Sequence, residues 1–187
     1  YEEIPIACRM EEVVQTEYKR IEDALVRVLR SDRRVAQKIL SAYLNLLTVY
    51  PDQPYDQKPI LYPDSDVPIV EPEKIGDVDT LGEKEQRTLE IVRAAIQNGE
   101  RALIYTSWVR TDSQQKLKKL LTDEGYRTEI LTDKIKTTDR EDWVQKKLAA
   151  GMQVLIVNPS LVETGLDLNA FTTLVFYSMG YKLFTLR

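Results

Sequence analysis

The chain has 187 residues, of which 43% are hydrophobic and 30% are charged, a composition typical of a soluble globular protein. It contains one cysteine, Cys8, and no histidine. These counts exclude an internal disulfide, a Ser-His-Asp triad, a Cys-His dyad and a histidine-ligated zinc site. No apolar run reaches about 18 residues, so no membrane-spanning segment is expected. A single cysteine favours a reducing compartment such as the cytoplasm.

The formal net charge of −4 is unevenly distributed. Residues 1–100 hold 13 Lys+Arg and 20 Asp+Glu, whereas residues 101–187 hold 13 Lys+Arg and 10 Asp+Glu. The C-terminal part can therefore tolerate a polyanion better than the whole chain, although a solvated surface of mixed charge gives the same counts. The first residues have neither a basic stretch nor a long apolar one, so no signal peptide is expected. Because the chain starts at Tyr1 rather than Met, we expect a piece of a longer protein.

The N-terminal region predicts a strand followed by two helices. Residues 2–10 alternate in polarity, which predicts a short strand, and Pro5 indicates a place at a sheet edge. The period then becomes helical from Glu11 to about Leu29 and again over residues 33–49. Ser31-Asp32 between them can cap the second helix, so the two helices are expected to form a hairpin.

The next segment is rich in proline. Six of the eight prolines fall between Pro51 and Pro72, and proline disfavours both helix and central strand. We therefore expect three parts: a strand and helical hairpin over 1–49, a proline-rich loop or linker over 50–79, and one domain over 80–187.

Strands and helices alternate in this last part. Helices are predicted at 83–98, 111–124 and 139–150, and strands at 102–105, 126–131, 154–157 and 173–177. Thr80-x-x-Glu83 and Thr138-x-x-Glu141 are predicted to be capping boxes. Such alternation predicts an α/β fold, a parallel sheet with helices on both faces, in which ligands bind at the carboxyl ends of the strands.

The loops at those ends lack the common nucleotide-binding motifs. Neither Gly-x-x-x-x-Gly-Lys-Ser/Thr nor Gly-x-Gly-x-x-Gly occurs anywhere in the chain. A complete nucleotide hydrolase is therefore excluded, and an independent dinucleotide enzyme is not expected.

One stretch carries a family resemblance. Residues 153–168, Gln-Val-Leu-Ile-Val-Asn-Pro-Ser-Leu-Val-Glu-Thr-Gly-Leu-Asp-Leu, resemble motif V of superfamily-two helicases and translocases. That motif is a buried strand, a loop with hydroxyl side chains and a Gly-Leu-Asp turn. Residues 102–108 are similar to motif IV, and the block that contains Arg140-Glu141 is similar to the region between the two motifs. The N-terminal strand, hairpin and helix resemble the start of the second motor lobe in Swi/Snf-type DNA translocases.

The resemblance implies a RecA-like helicase C-terminal lobe over 80–187 that stops before motif VI, which carries the arginine fingers. The intact parent would be an ATP-dependent DNA helicase or translocase, and this lobe would supply part of the nucleic-acid track and one wall of the ATP cleft. ATP and Mg²⁺ would be held mainly by the missing first lobe, so the chain alone is expected to be inactive. The implied partners are DNA, or RNA, and the first lobe, with no membrane, in the cytoplasm or on the nucleoid.

The resemblance also implies site residues. Hydroxyls at strand ends can hold a phosphate backbone without reading sequence. The nucleic-acid candidates are Thr106, Ser107, Thr132, Ser160 and Thr164. The nucleotide candidates are Gly165, where the backbone can approach a ligand, and Asp167, which can accept from a ribose hydroxyl or orient an arginine finger.

Each assignment has a structural alternative. Asp167 can simply cap its turn, and Thr106 and Ser107 can cap the following helix. Lys116, Lys118 and Lys119 form either a solvated helix face or phosphate contacts. For the whole chain, the alternatives are a degenerate lobe that acts as a protein-interaction module, and an unrelated Rossmann-like transferase domain.

Overall fold

The computed structural model describes residues 2–107, 113–162 and 165–178. These residues form two compact units that divide between Glu83 and Lys84. The first unit contains helices α1 (Glu12–Ser31) and α2 (Arg33–Val49) and strands β1 (Ile60–Leu61) and β2 (Pro68–Val70). The second contains α3 (Glu83–Gln97), β3 (Ala102–Thr106), α4 (Ser113–Asp123), β4 (Thr128–Leu131), α5 (Arg140–Ala149), β5 (Val154–Val157) and β6 (Thr173–Ser178). In the described part of the chain, every helix is too short or too polar to cross a bilayer.

The predicted helical hairpin is confirmed. α1 and α2 pack through apolar residues at helical spacing, among them Ile21, Leu25, Tyr43 and Leu46, all buried. The chain reverses at Asp32, whose Oδ1 accepts hydrogen bonds from the backbone N–H groups of Arg34 and Val35 at 2.9 and 3.1 Å. This N-cap satisfies two donors that the first turn of α2 would otherwise leave without a helical partner.

Replacing Asp32 by Ala is expected to lower the free energy of unfolding by about 0.5–2 kcal/mol, because both cap hydrogen bonds are lost. Urea denaturation followed by circular dichroism measures the change. Asp32→Asn keeps an oxygen acceptor and should differ from the wild type by only a few tenths of a kcal/mol. Equal losses in both variants would show that the charge of Asp32, and not its cap, stabilises the hairpin.

The strand predicted over residues 2–10 is wrong. These residues have no regular secondary structure, and Ile4 and Ile6 are 68% and 46% exposed. Alternating polarity selects a buried face only where a neighbouring strand pairs with the segment, and no described strand does so here.

The segment that follows α2 packs on the hairpin. β1 and β2 are antiparallel, and Ile60 and Val70 are buried in the hairpin core. The Tyr50 hydroxyl donates to the carbonyl oxygen of Glu73 at 2.9 Å, and the backbone N–H of Glu73 donates to Glu17 at 2.8 Å. Hydrogen bonds from Arg20 hold the pKa of Glu17 below its usual value, although burial of the carboxyl opposes this.

The second unit is built on the predicted parallel sheet, with strand order β4-β5-β3-β6. Alternate residues of each strand point to opposite faces. Ile104 and Ile156 lie on the face covered by α3 and α4, while Leu103 and Leu155 lie on the face that α5 covers. The α/β fold with helices on both faces is therefore confirmed, and the carboxyl ends of β3, β5 and β6 meet at one edge.

Neither predicted capping box is formed. The Thr80 hydroxyl donates to Asp77 Oδ1 at 2.9 Å and accepts from the Asp77 backbone N–H. The Thr138 hydroxyl donates to Asp139 Oδ1 at 2.8 Å, within a 3₁₀ turn that precedes α5. In both cases the hydroxyl makes a local hydrogen bond to a neighbouring Asp and does not cap the helix N–H groups.

Candidate functional site

The carboxyl ends of β3 and β6 are joined by hydroxyl groups. Thr106 is paired with Ser178 across the two strands. The Ser178 hydroxyl accepts from the Ser107 backbone N–H at 3.0 Å and donates to the Thr106 hydroxyl at 3.2 Å. The Ser107 hydroxyl in turn donates to the Ser178 carbonyl at 3.1 Å. These hydrogen bonds fix Ser107, which follows β3, against Ser178 at the end of β6.

Asn158 connects β5 to the same cluster. Its side-chain amide donates to the Ser107 carbonyl at 3.2 Å, and its Oδ1 accepts from both the backbone N–H and the hydroxyl of Ser160, at 2.9 and 2.7 Å. Asn158 thus caps the 3₁₀ turn Pro159–Leu161 and ties it to β3. Sequence reasoning omitted Asn158 and Ser178 from the site, although an Asn before Pro at a strand end is a recognisable turn signal.

A buried arginine links the loops that follow β4 and β5. Arg140, at the start of α5, is only 8% exposed. Its Nε donates to the Ile135 carbonyl at 3.2 Å, and its Nη1 donates to the Leu161 carbonyl at 2.9 Å. Because the guanidinium is rigid and planar, these two bonds set the separation of the loops.

Replacing Arg140 by Met is expected to lower the free energy of unfolding by about 1–3 kcal/mol, because the Ile135 and Leu161 carbonyls lose their donor. Urea denaturation gives the value. Arg127→Met is the matched control: its Nη1 also donates to a carbonyl, that of Ala150 at 3.0 Å, but Arg127 is exposed and water can replace it. A similar loss in both variants would contradict a special role for Arg140.

The loop after β5 is also held from its far end. The backbone N–H of Asp167 donates to Glu141 Oε2 at 3.0 Å, and the Asp167 carboxylate accepts from the Asn169 backbone N–H at 3.0 Å. Asp167 therefore makes the turn that its capping alternative predicts, yet its side chain stays exposed. Gly165, also exposed, has φ +84°, a left-handed conformation that favours glycine, and a Cβ there would meet no other atom within 4 Å.

The remaining predicted site residues differ in accessibility. Ser160 is exposed, and Ser107 and Thr132 are half-buried. Thr106 is fully buried and its hydroxyl is engaged by Ser178, so it supports the edge from inside. Thr164 lies outside the described residues.

Comparison with known protein families identifies the family of this chain. The model of the family described as the helicase conserved C-terminal domain matches residues 83–186, more than half of the chain. This chain belongs to the helicase C-terminal domain family. A search of curated protein sequences finds no significant match.

Solved structures agree on the fold of this helicase C-terminal domain. The C-terminal domain of a Sulfolobus solfataricus SWI2/SNF2 ATPase is 16% identical, with a TM-score of 0.69 over 92% of this chain and 70% of that chain. The C-terminal part of the Fun30 ATPase domain is 10% identical, with a TM-score of 0.66 over 94% of this chain and 74% of that chain. The predicted RecA-like lobe is thereby confirmed as a fold.

The lysines of α4 in the helicase C-terminal domain do not form one solvated face. Lys116 is buried and its Nζ lies 2.9 Å from Glu85 Oε1, which also accepts from the Tyr177 hydroxyl at 3.0 Å. Lys118 lies 3.3 Å from Glu129, while Lys119 is exposed and lies 3.4 Å from Asp123. The solvated-face interpretation is therefore wrong for Lys116, because its ammonium is buried in an ion pair with Glu85 of α3.

The charge of the Glu85 carboxyl is set by two opposing effects. Burial alone raises its pKa, but the Lys116 ammonium and the hydrogen bonds it receives outweigh burial and hold the pKa below its usual value. Glu85 is therefore ionised at neutral pH, and a charged pair joins α3 to α4 inside the second unit.

Proposed function

We propose that this chain is the C-terminal motor lobe of an ATP-dependent DNA helicase or translocase, supplying part of the nucleic-acid track and one wall of the ATP cleft. The observation that carries the proposal is the edge where β3, β5 and β6 end. There the loop that matches motif V is held by Asn158 from one side and by Arg140 and Glu141 from the other. A motor that steps along DNA needs such a loop in a fixed position.

The track is proposed to run over the neutral hydroxyls and backbone amides of this edge. Ser107, Thr132, Ser160 and Thr164 would contact phosphates, whereas Thr106 would act by holding Ser107 through Ser178. Residues 84–187 hold 16 Lys+Arg and 13 Asp+Glu, a net charge of +3 that favours a polyanion. Contacts of this kind bind a backbone without reading its sequence.

The cleft wall is proposed to be the turn that contains Gly165 and Asp167. The exposed carboxylate is available to a ribose hydroxyl or to an arginine finger, and the adjacent left-handed glycine leaves room for close approach. Within the described ranges, no three His, Cys, Asp or Glu side chains come together as a metal site. By the family resemblance, Mg²⁺ and most of the ATP would be held by the first lobe, and ATP when bound would supply the phosphoryl group that is hydrolysed between the two lobes.

DNA binding by the isolated chain tests the track. We expect weak binding to single- or double-stranded DNA, independent of sequence, with an affinity that falls as salt rises. Ser160→Asp, which adds a negative charge to the proposed track, should weaken binding roughly three- to tenfold near 0.1 M salt. Fluorescence anisotropy with a labelled oligonucleotide at several salt concentrations gives both results.

Thr172→Asp serves as the control, because Thr172 is exposed before β6, at the opposite edge of the sheet. It makes the same change in net charge and should leave the affinity almost unchanged. Equal losses of DNA affinity in the two variants would show that DNA does not bind at the edge that carries Ser160. A complete lack of DNA binding would favour the protein-interaction module.

A further inference from the structure

The outer face of α2 carries no charge along its last three turns. Residues 39–50 contain no Asp, Glu, Lys or Arg, although Leu40 and Leu44 are 42% and 41% exposed. Leu47 follows three residues later and is only partly buried against the hairpin core. Spacings of four and three residues place these leucines on one stripe of the helix, as in the seam of a coiled coil.

The neighbouring helix shows that this face is unusual within the same hairpin. α1 also buries one apolar face, and although Val13 and Leu29 are exposed, they lie at opposite ends of the helix and the exposed positions among residues 19–27 between them carry charged side chains. These include Lys19, Glu22, Asp23 and Arg27, with Glu12 and Arg30 at the two ends of the helix. Packing of the two helices therefore accounts for one apolar face on each, and leaves a second one on α2. Exposed leucines in a region depleted of charge are typical of the core of a protein interface.

The N-terminal end of α2 is basic. Residues 32–38 hold Arg33, Arg34 and Lys38 against Asp32, a net charge of +2, within a unit whose residues 1–83 total −7. Arg33 and Arg34 are exposed, and neither side chain has an ion-pair partner among the described residues, while Lys38 lies 3.2 Å from Asp64. The positive end of the α2 dipole adds to the field of the two arginines.

We propose that the α2 stripe, defined as Leu40, Leu44 and Leu47 together with the adjoining first-turn arginines Arg33 and Arg34, docks an amphipathic helix of a partner protein. Apolar residues of that helix, spaced at i, i+3, i+4 and i+7, cover the leucines, and acidic residues at one end lie over the two arginines. Charge complementarity argues against a second copy of this chain as the occupant. α2 has no acidic residue to offer the arginines of another α2.

Two synthetic helices serve as probes for the 187-residue chain. Both have about three heptads with leucine at the a and d positions; one carries Glu in its terminal heptad and the other carries Lys. We expect the Glu peptide to bind at least tenfold more tightly than the Lys peptide, with a difference that shrinks as salt rises. Fluorescence anisotropy measures both affinities.

Variants separate the two parts of the stripe. Leu40→Ser with Leu44→Ser should weaken the Glu peptide at least tenfold, and Arg33→Glu with Arg34→Glu should reverse the preference between the peptides. Leu174→Ser, at a leucine of β6 that is 51% exposed, is the control and should have no effect. Circular dichroism verifies folding. The arginine pair, fully on the surface, still decides the question if the serine pair unfolds.

Three results would overturn the proposal. The first is equal affinity for the two peptides, and the second is wild-type binding by the Arg33→Glu, Arg34→Glu variant. The third is a dimer of the chain in sedimentation equilibrium that disappears in the Leu40→Ser, Leu44→Ser variant, because this would identify a second copy as the occupant.

Discussion

Replacing Glu85 by Gln is expected to lower the free energy of unfolding by about 3–5 kcal/mol, the usual loss when one member of a buried ion pair is removed. Glu85 and Lys116 side chains are 5% and 7% exposed, so water cannot replace the missing charge. Gln keeps the shape of the side chain and can still accept from Tyr177, but it removes the negative charge that lies 2.9 Å from the buried Lys116 ammonium. Urea denaturation at pH 7 measures the loss.

A double variant is the control for this prediction. Glu85→Leu with Lys116→Met removes both charges together, and replacement of a whole buried pair by apolar residues is often close to neutral. The double variant should therefore recover most of the stability that Glu85→Gln loses. A double variant less stable than Glu85→Gln would contradict the ion-pair explanation and point to packing instead.

The same carboxyl predicts a dependence of stability on pH. The pKa of Glu85 is lowered in the folded state, as is that of Glu129 beside Lys147 and Lys118. A lowered pKa in the folded state means that the unfolded chain binds the proton more readily. The stabilisation by these ionised carboxylates is therefore complete above the unfolded pKa of about 4.3 and is lost as the pH falls. Stability should thus decline below about pH 4.3, and less steeply in Glu85→Gln than in the wild type.

Asp167→Asn is expected to reduce the DNA-stimulated ATPase rate of the intact parent protein about 10²-fold. Without the carboxylate the nucleotide or the arginine finger is no longer held in place, and a displacement of about 1 Å costs a factor of this size. This substitution tests the role of the charge more directly than Asp167→Ala does. Asn keeps the oxygen that accepts from the Asn169 backbone N–H, so the turn is preserved, and only the charge of the exposed carboxylate is lost. ATP turnover with and without DNA gives the rate.

Two measurements separate this role from simple capping. If Asp167 acts on the nucleotide or on an arginine finger, the thermal midpoint of Asp167→Asn stays at the wild-type value while the rate falls. If Asp167 only caps its turn, Asp167→Asn keeps both the thermal midpoint and the ATPase rate of the wild type. Asp167→Ala then loses about 0.5–2 kcal/mol of stability, with unchanged turnover per folded molecule. Magnesium-dependent ATP turnover by the isolated 187-residue chain would refute the division of roles between two lobes.

Periodicity alone determined the helical hairpin and the parallel sheet. The spacing of Ile21, Leu25, Tyr43 and Leu46 predicts one apolar face for each helix, because the 3.6-residue repeat brings these positions to the same side of the helix. The short apolar runs between helices identify strands covered on both faces, whatever their order in the sheet. The stretch that resembles motif V is contiguous in sequence, so its residues alone likewise indicated the helicase C-terminal family.

Tertiary structure alone decided which polar groups that lie far apart in the sequence meet. The position of Lys116 in the sequence fits a solvated face, yet Glu85, 31 residues away, pairs with it in the interior. The position of Thr106 at a strand end predicts an accessible hydroxyl, yet Ser178, 72 residues away, engages it. Arg140 and Asn158 join loops that follow different strands. The partners of a hydrogen bond or ion pair are selected by strand order and register, and local periodicity carries no information on either. For the same reason residues 2–10 have the alternation of a strand but form none: pairing requires a neighbour that only the folded chain can provide.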